Sequence, residues 1–193
     1  MFSGCRMKIV FILILFLAGF VFNVLYNLGE YYRIISNNKT AGDYFDKAFS
    51  IYLKLNDPVG LGNVYLKKGR IYSNRGENSK AHDMYDKALQ FFEKAGDPAG
   101  QGNVYLAKGY IYSISGEYAR ALEMYEQALV LFEKAGDPLG QANVCLVKGE
   151  IYLRFGDNSK AREMYDQALP FFEKTGNREG LGIVYLEKRY GAR

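Results

Sequence analysis

The sequence predicts an all-α fold, an α-solenoid of stacked antiparallel helix hairpins, on three observations. The first is self-similarity at a fixed period: Gly60–Ala99 and Gly100–Leu139 are identical at 25 of 40 positions, and Gly140–Glu179 carries a further copy. A period of this size marks an array whose units are single supersecondary elements that bury a core only by stacking. The second is that each unit holds two runs of apolar residues at helical spacing, separated by a glycine turn. The third is that units meet at an Asp-Pro pair, as at Asp97-Pro98 and Asp137-Pro138.

One unit decodes residue by residue. Asp97 suits an N-cap, because its carboxylate accepts hydrogen bonds from orphan amides, and Pro98 suits the first helical position, where no N–H is needed. Val104, Tyr105, Ile111 and Tyr112 then recur as a helical stripe, which Ser115-Gly116-Glu117 breaks. The second helix carries Ala121, Met124, Tyr125, Ala128, Leu129 and Phe132 three and four apart, so one face is apolar. Gly136 stands where a left-handed residue closes a helix.

Along the chain this frame predicts an apolar leader at 1–19, a degenerate repeat at 20–59, repeats at 60–99, 100–139 and 140–179, and a capping or truncated helix at 180–193. The leader's run, residues 9–22, is fourteen apolar residues behind Arg6 and Lys8. Three readings of it stand open. A signal anchor with the repeats on the extracytoplasmic side follows from the positive-inside bias. A cleaved signal fits the length of the run. The third is a helical cap of a cytoplasmic array. Pro170 is expected to interrupt the second helix of the fourth unit. Asn38-Lys39-Thr40 matches a glycosylation sequon, expected between the first two helices.

The recurring small and aromatic residues carry a family resemblance. Gly69, Tyr72, Gly76, Ala81, Tyr85 and Ala88 return as Gly109, Tyr112, Gly116, Ala121, Tyr125 and Ala128, and again as Gly149, Tyr152, Gly156, Ala161, Tyr165 and Ala168. The pattern resembles the tetratricopeptide repeat. Its forty-residue period is similar to the Pins-like and kinesin-light-chain branch. The sequence departs from the family at Lys68, Lys108 and Lys148, where a leucine is usual; a lysine there can bury its stem and keep its ammonium wet. The resemblance implies a right-handed superhelix that holds a protein or extended peptide in a concave groove.

Chemistry is sparse outside that groove. His82 is the only histidine and is expected at a variable exposed position. Cys5 and Cys145 make no disulfide framework, Cys145 reading as a small buried hydrophobe. No metal-ligand set, catalytic triad or phosphate loop is present by spacing, so neither an enzyme, a cofactor nor a metal site is predicted. The net charge of +4 is too small for a nucleic-acid footprint. Paired acids such as Glu123/Glu126 and Glu163/Asp166 are expected to form a solvated face.

The resemblance places ligand contacts on the first helices, at set distances from the recurring glycine. Six before it stand Asn23, Asn63, Asn103 and Asn143; three before stand Leu66, Leu106 and Leu146. One after come Arg70, Tyr110 and Glu150, and four or five after come Ser73, Asn74, Ser113, Ile114, Leu153 and Arg154. An asparagine carries both donor and acceptor, so a row of them can pair with a peptide backbone without reading its side chains. The same row can instead tie neighbouring helices together. Arg70, Tyr110, Glu150 and Arg154 vary between copies and would set specificity. Self-association through terminal helices, or service as a fragment of a larger signalling protein, is the alternative reading.

Overall fold

The computed structural model describes residues 24–33 and 38–190, without the side chains of residues 187, 189 and 190. The leader at 1–19, its apolar run and Asn23 lie outside the described residues. Among these, every residue is in an α-helix or a short turn. The helices are α1 (24–33), α2 (Asn38–Leu55), α3 (Pro58–Asn74), α4 (Asn78–Ala95), α5 (Pro98–Ile114), α6 (Tyr118–Ala135), α7 (Pro138–Arg154), α8 (Asn158–Thr175) and α9 (Arg178–Tyr190). None of them is long and apolar enough to cross a membrane. The chain forms two compact units, one ending at Phe91 inside α4 and the other running from Phe92.

Local chemistry sets the helix ends. The carboxylates of Asp57, Asp97 and Asp137 accept from the amides of Gly60, Gly100 and Gly140 at 3.1, 2.9 and 3.0 Å, with a proline at the first position of each helix. Asn177 repeats the device for α9. At the other ends Gly96, Gly136 and Gly176 adopt φ near +64°, and the following amide folds back, as Asp137 N does to Phe132 O. Asn56 takes the corresponding place after α2 at φ 51°, one of the few non-glycine residues that tolerate it.

Glycines of the first helices hold the hairpins together. In the carboxy-terminal unit a Cβ on Gly109 or Gly149 would lie under 3.0 Å from the ring of Tyr125 or Tyr165 of the same hairpin. One on Gly140 or Gly180 would meet Phe132 or Phe172 of the preceding hairpin in the same way. Each ring is buried, so a missing methyl is what lets the helices close on it. Burying such a ring contributes roughly 1.5–3 kcal/mol. Around these rings Ala121, Ala128, Val144 and Ile151 form one core cluster, and Ala142, Cys145, Leu146, Ala161, Ala168 and Val184 another. In the amino-terminal unit Ala41, Phe45, Ala48, Tyr52, Leu61, Val64 and Ile71 do the same, and Gly69 receives Tyr85.

The structure corrects four expectations. Pro170 does not interrupt α8, which spans 18 residues as α6 does and buries the matching set Ala161, Tyr165, Ala168 and Phe172. Pro170 is exposed, so the carbonyl that loses its intrahelical donor faces solvent. The sequon is not a loop: Asn38, Lys39 and Thr40 are the first turn of α2. His82 is half-buried rather than exposed. Finally, the acids of the second helices are more than a solvated face. Asp46 pairs with Lys68 and Glu126 with Lys148, each at 2.5 Å, and Asp166 pairs with Lys188. Each pair is 22 residues apart and ties a second helix to the next first helix. Lys148 is only 8% exposed, so burial of its stem puts its ammonium within reach of Glu126 on α6.

Candidate peptide-binding face

In the carboxy-terminal unit α5 and α7 pack on one another. Tyr110 and Ile114 of α5 are 54% and 56% exposed, and Glu150 and Arg154 of α7 are exposed as well. Asn103, Asn143 and Leu106 are half-buried beside them. The amide nitrogen of Asn103 donates to Ala99 O of its own helix at 3.1 Å, which engages part of its bonding capacity locally. Leu146 is a core residue packed with Cys145 and Tyr165, so of the predicted leucines in this unit Leu106 is the one near the surface.

Two predicted contact positions have structural partners. Ser113 is hydrogen-bonded with the Tyr125 hydroxyl, and Leu153 packs against the core cluster around Tyr165. Burial pushes the Tyr125 phenol above its ordinary value, and the Glu150 carboxylate adds to the shift. Glu150 and Tyr110 thus stand close to that hydroxyl, one side of an open, mixed surface.

In the amino-terminal unit Asn63 and Arg70 are half-buried, Asn74 is exposed, and Leu66 lies in the interior at 3% exposure. Ser73 is buried and hydrogen-bonded with Tyr85, whose phenol burial pushes up to about 12. The unexpected feature is a charge cluster. Arg33 donates to both oxygens of Glu30 at 3.1 and 3.2 Å, and Lys67 donates to the same carboxylate at 2.8 Å. Lys67 also stands over the Tyr26 ring, 5.8 Å from its centroid. Burial alone would raise the Glu30 carboxyl, but the Arg33 and Lys67 hydrogen bonds outweigh it and hold it below its ordinary value. Sequence reasoning passed over Lys67. The available signal was a charge where the other copies have Ala107 and Val147.

Among the described residues no group of His, Cys, Asp and Glu could hold a metal ion. The face is a surface for contact rather than an enclosed reaction site.

The family described as soluble NSF attachment protein, SNAP, matches residues 25–179. The chain belongs to the SNAP family. The fold of this SNAP-family chain is tetratricopeptide-like, as three solved structures also show. Aspartyl phosphate phosphatase F from Bacillus subtilis superposes with a TM-score of 0.78 at 17% identity, over 89% of this chain and 45% of the phosphatase. A signal transduction ATPase with a tetratricopeptide repeat sensor, from Pyrococcus horikoshii, gives 0.64 at 23% identity, over 89% of this chain and 25% of that one. A putative kinesin light chain with nearly identical TPR-like repeats, from Podospora anserina, gives 0.58 at 12% identity, over 88% and 93%. The SNAP-family chain therefore spans under half of the first of these proteins. No curated protein matches it.

Proposed function

We propose that the chain is a non-enzymatic interaction scaffold that holds a peptide or protein partner on its first helices. The observation that carries this is the face of α5 and α7. Tyr110, Ile114, Glu150 and Arg154 are exposed and differ from the residues at the same places in the other copies. The glycine and ring positions between the helices are by contrast nearly invariant. A few exposed aromatic and charged anchors on a rigid frame suit recognition of a polypeptide. The family description, an attachment protein, supports an adaptor role. The forty-residue period and its Gly-Asp-Pro joint support the Pins-like, kinesin-light-chain-like variety of repeat.

Selection of a displayed random-peptide library on the full chain tests the reading. Asn103→Ala with Asn143→Ala should abolish binding of the selected peptides while the helical circular dichroism stays intact. Failure to select any peptide would overturn the scaffold reading, and loss of helicity in the double variant would assign the asparagines to helix spacing.

A second reading has its own observation. Tyr185 and Leu186 of α9 are 55% and 58% exposed, where the matching Cys145 and Leu146 are buried. Such a face suits self-association, and light scattering that shows mass rising with concentration would favour it. Anchoring through residues 9–22, with the repeats outside the cytoplasm, rests on the apolar run behind Arg6 and Lys8. Recovery of the unprocessed chain in the soluble fraction would remove it in favour of a cytoplasmic array.

A further inference from the structure

We propose that Arg33, Lys67 and Arg70 of the amino-terminal unit form a seat for a carboxylate of an acidic polypeptide. This rests on the scaffold reading above and names the chemistry of the ligand on α1 and α3. Three cations surround one carboxylate, Glu30. Arg33 and Lys67 bond it directly, and Arg70 acts electrostatically on Lys67, Tyr26 and Tyr85. The side chains of Arg33, Lys67 and Glu30 are only 16–20% exposed, so water screens the surplus positive charge poorly.

The surplus has no neutraliser waiting in sequence. Residues 1–23 and 34–37 contain no Asp or Glu. In the same unit Asp46 is taken by Lys68, Glu77 by Lys80, and Asp57 by the first amides of α3. The repeat does not require the cluster either. The places of Lys67 are Ala107 and Val147 in later copies, those of Arg33 are Ser73 and Ser113, and those of Arg70 are Tyr110 and Glu150. The hairpins pack the same glycine-and-ring joints without these charges.

Glu30 is the internal template for the ligand. It already receives a two-bonded guanidinium and an ammonium, the pairing that favours carboxylates. An incoming carboxylate would share Lys67 and draw on Arg70. Burial and the neighbouring Arg70 and Arg33 press the Lys67 ammonium toward its neutral form. A second anion relieves that repulsion, whereas Glu30 competes with it.

The test measures fluorescence anisotropy of a labelled ten-residue oligoglutamate with the full chain at low salt, alongside the matching oligoglutamine and unlabelled inorganic phosphate as competitor. Oligoglutamate should bind and oligoglutamine should not. Arg70→Gln and Lys67→Gln should each weaken binding about tenfold, and Glu30→Gln should strengthen it by a similar order, all from one charge at contact distance. Lys94→Gln, an equal charge change at an exposed lysine elsewhere, should leave affinity within about twofold. Wild-type affinity in Arg70→Gln, or weaker binding in Glu30→Gln, would overturn the seat. Displacement by phosphate ahead of free glutamate would overturn its assignment to carboxylates. Library peptides that bind but ignore Arg70 and Lys67 would sink the seat alone. Oligoglutamate binding without any library peptide would sink the groove and leave the seat.

Discussion

Gly109→Ala tests the packing on which the whole array depends. In a free helix, alanine in place of glycine stabilises by about 1 kcal/mol. At Gly109 the new methyl would sit on the Tyr125 ring, which is 1% exposed and backed by Ala121, Ala128 and Phe132. Overpacking of this kind costs about 1–3 kcal/mol, and a displaced ring also forfeits the bond to Ser113, about 1 kcal/mol more. After the propensity gain, the net loss is about 1–3 kcal/mol, or roughly 2–10 °C in melting temperature.

Gly42 is the control. It lies in α2 with nothing within 4 Å of its would-be Cβ, so Gly42→Ala should stabilise by up to about 1 kcal/mol. Urea titration followed by circular dichroism gives both midpoints, and in a repeat array the midpoint is safer than an extrapolated free energy. Gly149→Ala should resemble Gly109→Ala with a smaller loss, because Leu153 replaces the serine there. A rise in midpoint for Gly109→Ala matching that of Gly42→Ala would refute the account of the glycine joint.

Two further outcomes concern charge. Glu126→Gln should destabilise by about 1 kcal/mol, since it leaves the Lys148 ammonium without its partner, whereas Lys148→Met should stay within about 0.5 kcal/mol; a double-mutant cycle in urea measures the coupling. The Glu30 carboxyl is held below its ordinary value, so its contribution is present above the unfolded pKa, about 4.3, and fades as pH falls through the lower folded value. Glu30→Gln should therefore lower stability at neutral pH and shrink the difference from the parent chain below about pH 4. A difference that stays constant from neutral pH down into the acid range would contradict this.

The helix order was legible because its determinants are local. Asp97 before Pro98 starts a helix, Gly136 at positive φ ends one, and Tyr125, Ala128 and Phe132 share a face at a spacing any helix must have. The candidate site was legible only as positions. Tyr110, Ile114, Glu150 and Arg154 are exposed, but Ser73 and Ser113 turn to tyrosine hydroxyls, and Leu66 and Leu146 sink into the core. A helical wheel shows which residues share a face without showing how far that face rolls toward its neighbour.

By itself the sequence determined the all-helical class, the forty-residue unit and the caps that bound each helix, since these follow from hydrogen bonds and apolar spacing within a few residues. Tertiary structure decided the partners: Lys68 with Asp46, Lys148 with Glu126, and Arg33 and Lys67 on one Glu30. Those meetings depend on the depth and rotation at which two helices close over a glycine. That is a property of the packed pair, and neither segment carries it alone.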